Sequence, residues 1–189
     1  MIPRRLTAAL TALLLCACAG LTPAERAAAP DFDVVGRVLV SGEGRAFSSN
    51  LRWRHEAGRD ELWLLTPLGQ ALAHIATDAA GATLTAADQQ EYRATSVATL
   101  TERALGWALP LAELRHWLQA RPVPQQATAA VKRDAGGRLE ALEQGGWALR
   151  FAYDGMQPLP RRLDLDRRGQ RIRLVIDERR EPGAVEPLR

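Results

Sequence analysis

Few side chains in this 189-residue chain are spaced to do chemistry. The two cysteines, Cys16 and Cys18, form a Cys-x-Cys pair that would suggest metal or redox chemistry in a folded domain. Here they follow Arg4-Arg5 and an apolar run from Leu6 to Leu15, the layout of a secretory leader and its processing site, so that reading fails. His55, His74 and His116 are scattered, without the His-Glu-x-x-His spacing of a metallohydrolase, and no Gly-x-Ser-x-Gly nucleophile is present. Glycines mark turns rather than a phosphate loop. Carboxylates are expected in turns and on polar strand faces, where they are solvated. The residues therefore predict no enzyme, no metal and no cofactor.

The chemistry that remains is that of a thiol at a cleavage site. Leu15-Cys16-Ala17-Cys18 resembles a bacterial lipobox, in which the final cysteine receives diacylglycerol. Cys18 fits that role, with Ala17 before it and Leu15 three back, whereas Cys16 would place Leu15 next to the cut. Ordinary cleavage around Ala17-Cys18-Ala19 is the alternative. Residues 1–17 are read as a signal peptide, and 18–31, with Pro23, Pro30 and several alanines, as a lipidated N-terminus and tether. Ala19, rather than Asp, after the modified cysteine points to the outer membrane. Once Cys16 is removed and Cys18 lipidated, no disulfide can form, and the domain rests on its core alone. The processed chain holds twenty-three basic and twenty-two acidic side chains, a net charge of +1 that gives nucleic acid nothing general to bind. The basic stretch at Arg161-Arg162 and Arg167 to Arg173 reads as a solvated hairpin.

Between Leu62 and Ile75 two apolar extended runs are broken by Pro67-Leu68-Gly69. Pro67 fixes φ and Gly69 tolerates positive φ, which predicts a tight turn with Leu68 at its tip. A leucine held in water forgoes roughly 1.5–3 kcal/mol of burial. Leu68 therefore either folds back under a neighbour or projects toward something other than water.

The rest of the chain supplies a scaffold. From Phe32 the apolar period is two, with Val34, Gly36, Val38 and Val40 on one face and Asp33 and Arg37 on the other. Phe47, Ser49, Leu51 and Trp53 continue it after the Gly42-Glu43-Gly44 turn, followed by a polar loop from His55 to Asp60. Alternation does not say which face of Leu62 to Leu65 is inside. Short strands are predicted near 83–86 and 91–94. At Ser96 the period becomes helical, with Ser96 as N-cap and Gly106 as stop, and a second short helix carries Leu111, Leu114, Trp117 and Leu118. Strands resume near Val131 and run through Trp147 to Tyr153, Leu163 to Leu165 and Arg171 to Ile176; Glu178 to Arg189 reads as a charged tail. About ten strands with hairpin-length connections and one helical insertion predict a mainly β (α+β) fold, a curved antiparallel sheet. Of the five tryptophans, 53, 63, 107, 117 and 147, most are expected in the core.

Taken in order, the lipobox, Gly36-Arg37, Leu51-Arg52-Trp53, Pro67-Leu68-Gly69, Leu105-Gly106, Leu109-Pro110, Leu114 to Leu118, Gln144 to Trp147 and Ile172 to Asp177 resemble the LolB family of outer-membrane lipoprotein receptors, over residues 32–177. The resemblance implies an incomplete β-barrel, covered by short helices over a hydrophobic cavity. It implies a lipid-anchored, monomeric receptor facing the periplasm, which accepts lipoprotein acyl chains from a LolA-like periplasmic carrier and inserts the lipoproteins into the outer membrane. Cys18 falls on the family's lipidated position, and Pro67, Leu68 and Gly69 on its protruding membrane-insertion loop. The candidates to line the cavity are Val38, Leu51, Trp53, Leu64, Leu114, Trp117, Leu118, Trp147, Leu149, Phe151 and Leu174. The competing reading is a lipid-anchored envelope scaffold whose sheet docks another protein and holds no acyl chain.

Overall fold

The computed structural model describes residues 31–181; Cys18, the expected leader and tether, and the chain beyond 181 lie outside them. Eleven strands and two helices follow one another as β1 (Phe32–Gly42), β2 (Arg45–Glu56), β3 (Arg59–Leu65), β4 (Ala71–Asp78), β5 (Gly81–Ala86), β6 (Glu91–Ala94), α1 (Val97–Leu105), α2 (Leu111–Trp117), β7 (Thr128–Arg133), β8 (Leu139–Gln144), β9 (Trp147–Ala152), β10 (Arg162–Arg167) and β11 (Gln170–Arg180). All strands join one antiparallel sheet in the order β6-β5-β4-β3-β2-β1-β11-β10-β9-β8-β7. The first and last strands pair through β1 and β11, while β6 and β7 are left as free edges. Between those edges in the chain come the two helices, which roof the open sheet.

Alternation decides the inside. Val34, Val38, Val40, Leu51, Trp53, Leu62, Leu64, Leu149, Phe151, Leu163, Leu165, Ile172, Leu174 and Ile176 point inward and are buried, in one core with Leu111, Leu114 and Trp117 of α2 and Leu118 just after it. Leu62 and Leu64 thus face in, and Trp63 faces out, stacked on His74 with ring centroids 4.9 Å apart. Trp53, Trp117 and Trp147 are core, as expected for most of the tryptophans. Gly36 sits where β1 is shifted against β11, and a Cβ there would lie 2.1 Å from the Val175 carbonyl oxygen. Helix α1 is capped as its sequence predicts: the Ser96 hydroxyl accepts from Thr99 N, and Gly106, at φ 83°, closes the last turn onto Glu102.

Two boundaries and one buried side chain differ from expectation. The segment from His55 to Asp60 is no loop. Strands β2 and β3 run through it to a two-residue turn at Ala57-Gly58, both at positive φ, which suits the right-handed twist of a hairpin. The charged tail begins later than Glu178, because β11 continues to Arg180 in register with Asp33. Asp33, expected on the solvated face, is 3% exposed because Arg52 lies across it with a bidentate ion pair at 2.7 and 3.2 Å.

Strands that neighbour one another in the sheet run antiparallel, so the turns fall on two rims. The start of β1, the end of β11 and the connections 57–58, 79–80, 134–138 and 153–161 share one, the N-terminal rim. The connections 43–44, 66–70, 87–90, 145–146 and 168–169 share the other, the far rim. With eleven residues in β1, the rims are separated by roughly 35 Å. Replacing Gly36 with alanine is expected to destabilise the domain by about 1–3 kcal/mol, because the obstacle is backbone of the strand that closes β1 into the sheet; chemical denaturation of wild type and variant measures this.

Candidate functional site

The turn between β3 and β4 is built as its residues dictate. Gly69 N donates to Thr66 O at 2.9 Å, Thr66 N donates to Gln70 O at 2.8 Å, and Gln70 N donates to the Thr66 hydroxyl at 3.1 Å. Pro67 occupies the first corner and Gly69 has φ 83°. Leu68 is 88% exposed. Of the two readings of an apolar tip, the structure therefore takes the projecting one: a small, internally bonded turn holds a leucine out from the far rim.

The eleven cavity candidates all face one interior, and none exceeds 9% exposure. A hollow wide enough for an acyl chain would leave accessible surface on the side chains around it. At most 9% remains on any of them, on Val38, so the interior they face is largely covered, with Leu114, Trp117 and Leu118 packed against the sheet. Surface clefts of about 650 and 640 Å³ lie on the far rim, lined by glycine turns, Arg167 and Arg168; Trp147 is the one candidate that borders either.

What keeps the interior closed is a helix of seven residues with no side-chain N-cap. Its hold on the sheet combines apolar burial with three polar fastenings. Asp60, fully buried at the start of β3, accepts from Trp53 Nε1 at 3.0 Å, from the Thr77 hydroxyl at 3.1 Å and from the Arg115 guanidinium of α2 at 2.9 Å, and its Oδ1 lies 2.8 Å from His55 Nδ1. Burial pushes the Asp60 carboxyl upward, but the bonds from His55 and Trp53 and the Arg115 charge outweigh it and hold the group below its ordinary value of 3.8. Gln144, at the end of β8, accepts from Trp117 Nε1 at 3.1 Å and Val123 N at 2.8 Å, and donates to Val123 O, Gln126 O and Thr128 Oγ1. Arg179 donates to Leu118 O at 3.2 Å, just past α2, and to Pro160 O at 2.9 Å. Burial lowers the Arg179 pKa from its ordinary value. Each fastening joins α2 or the chain just after it to a different part of the sheet.

Sequence reasoning missed all three. His55, Asp60, Gln144 and Arg179 are polar and flank turns or a strand end, so they read as solvated. The signal was present in the period: His55 continues Leu51 and Trp53 at intervals of two, Asp60 precedes Leu62 and Leu64 in the same phase, and Gln144 follows Leu142. Among the described residues no group of acids, histidines or cysteines is arranged to hold a metal.

The site is thus an open antiparallel sheet roofed by short helices around an apolar interior, with a leucine projecting from one rim. The same fold occurs in an outer membrane lipoprotein-sorting protein domain from Vibrio parahaemolyticus, with a TM-score of 0.50 and 9% identity over 84% of this chain and 88% of that one. A DUF1329 family protein from Desulfovibrio piger shares it too, with a TM-score of 0.51 and 7% identity over 85% and 90% of the two chains. The family model "Outer membrane lipoprotein LolB" matches residues 30–178. The outer-membrane lipoprotein LolB of Thiobacillus denitrificans is 39% identical over 165 residues, 85% of this chain and 88% of the relative. That of Cupriavidus pinatubonensis is 35% identical over 190 residues, covering 90% and 91%. This chain belongs to the LolB family. It is a lipid-anchored receptor of the outer membrane that serves lipoprotein localisation.

Because its folded-state pKa is depressed, Asp60 contributes stability that is full above the ordinary carboxyl pKa and is lost as pH falls through the lower folded value. Asp60→Asn is expected to lower stability at pH 7 by about 3–5 kcal/mol, since it leaves Arg115 half-buried without its counter-charge. It is also expected to flatten the acid limb of the stability profile; urea denaturation from pH 7 to pH 3 reads both effects.

Proposed function

We propose that this protein, anchored through lipid on Cys18, takes lipoproteins from a LolA-like periplasmic carrier by lodging their acyl chains between the sheet and α2. It then passes them to the outer membrane beside Leu68. The observation that carries this reading is the closure itself: the apolar interior is covered by a seven-residue helix held by discrete polar contacts, so lifting one element exposes a continuous apolar lining. Val38, Leu51, Trp53, Leu64, Trp147, Leu149, Phe151 and Leu174 would line that space from the sheet. Leu114, Trp117 and Leu118 would leave it as α2 moves.

The energetics require contact at each handover. At ~0.8 kcal/mol per methylene, a chain of about sixteen carbons gains on the order of 12 kcal/mol on leaving water. Release into the periplasm is therefore far too slow to serve transport, and cargo must pass from one apolar site to the next. Opening and loading are one equilibrium. The closed state buries the lining against α2, the loaded state buries it against acyl chains, and the fastenings set the balance. The reading assigns no catalytic step, no cofactor and no nucleic-acid partner, and a monomer suffices.

Two variants test the reading with purified protein, an environment-sensitive fatty-acyl probe, and transfer of labelled lipoprotein from a LolA-like carrier to liposomes. Leu68→Glu is expected to leave stability and probe binding unchanged. It is also expected to slow delivery to liposomes about ten-fold or more, in line with the ~1.5–3 kcal/mol a leucine loses when denied an apolar surface; equal delivery by mutant and wild type refutes the role of Leu68. Arg115→Met removes a charge-assisted bond worth ~1.5–3 kcal/mol and is expected to shift α2 toward opening, tightening apparent probe affinity about ten-fold while lowering the melting temperature. Unchanged affinity in a destabilised variant would show that α2 does not gate the interior, and absence of any probe binding would favour a scaffold without an acyl ligand.

A further inference from the structure

Leu68 is not the only apolar side chain held out in water. Met156 is 91% exposed, at the tip of the 153–161 connection between β9 and β10. Its presentation is built. The Arg138 guanidinium donates to the carbonyls on either side of Met156, Gly155 O at 2.8 Å and Gln157 O at 3.1 Å. Arg138 is itself fixed by an ion pair with Asp134 at 2.7 Å and lies over the Tyr153 ring, 4.5 Å from its centroid. At the base of the connection Arg161 N donates to Ala152 O at 2.8 Å, and the Arg161 side chain pairs with Asp154 at 3.0 Å. Pro158 and Pro160 restrict the returning strand.

Topology says what this tip faces. The 153–161 connection lies on the N-terminal rim, only β11 and β10 away from the start of β1, where the chain arrives from its lipidated N-terminus. Leu68 is on the far rim, roughly 35 Å away. The anchor is thus delivered to the Met156 end. From Cys18 to Asp31 the chain reaches at most about 45–50 Å, enough for the domain to rest on its N-terminal rim or turn over onto the other. The basic side chains Arg133, Arg138 and Arg161 share this rim, with Arg138 and Arg161 paired to Asp134 and Asp154.

We propose that the Met156 loop is a second membrane contact, which seats the anchored protein on the bilayer through its N-terminal rim, so that the Leu68 end is presented away from the membrane until the domain turns over. This rests on the lipid anchor and on the reading of Leu68 given above.

The test uses the full lipidated chain in vesicles of phosphatidylethanolamine and phosphatidylglycerol. With Cys18 blocked by lipid, no other thiol remains, so Met156→Cys and, as a reference at an exposed far-rim turn, Ala87→Cys each accept a single environment-sensitive fluorophore. In the empty protein the label at 156 is expected to emit at shorter wavelength than the label at 87. Lipids carrying a nitroxide near the headgroup should quench it at least about three-fold more strongly. A label at 156 that reports water as fully as the one at 87, or that is shielded only when a carrier protein is added, overturns the proposal. Fatty-acyl probe binding, measured on the same labelled proteins, judges the acyl-carrier reading separately: intact binding with a water-exposed 156 rejects the second contact alone.

Discussion

A single buried carboxylate organises the closed form of this protein. Asp60 accepts bonds from side chains of β2, β4 and α2 at once. Such a group is costly to bury alone and favourable only when all its partners are in place. Its depressed pKa shows that the partners prevail over burial. The helix fastened through Arg115 is too short to be stable by itself, so its place on the sheet is a matter of tertiary contacts, apolar below and polar at the edges.

That division of labour suits a carrier. A roof held only by apolar packing would part from the sheet at the full cost of wetting both surfaces. Incoming acyl chains would have to offset all of it. In the proposed exchange the apolar lining of the sheet would trade one greasy partner for another, with little change in the area removed from water, and the part of the free energy resisting opening would reside in a few directional bonds. Asp60, Gln144 and Arg179 hold the helix at three separate points along its length and just beyond it. The roof is therefore specific in position and modest in total hold.

The sheet also solves a problem of orientation. Because neighbouring strands are antiparallel, their connections divide between two rims, with the 66–70 turn on one and the 153–161 connection on the other, and the N-terminus fixes which rim is nearer the anchor. Leu68 and Met156 are both rigidly presented, one by a proline–glycine turn and the other by an arginine that grips the neighbouring carbonyls. They mark opposite ends of the sheet.

Much of this was legible before any coordinates. Alternation of period two located the strands, the change of period at Ser96 located α1, and Pro67-Leu68-Gly69 read correctly as a turn with an apolar tip, because these features depend on φ preferences and on neighbours within a few residues. The ordered motifs placed the chain in its family. By itself the sequence determined the local geometry, the inward face of most strands and the identity of the fold. Only the tertiary structure decided that His55, Asp60 and Gln144 turn inward to hold α2, that β11 runs on to Arg180, that α2 covers the apolar interior, and that Met156 stands out at the anchored end. Those outcomes depend on which distant groups meet across the sheet, since a polar side chain beside a turn is stable in water or in the core according to whether partners far along the chain arrive to satisfy it.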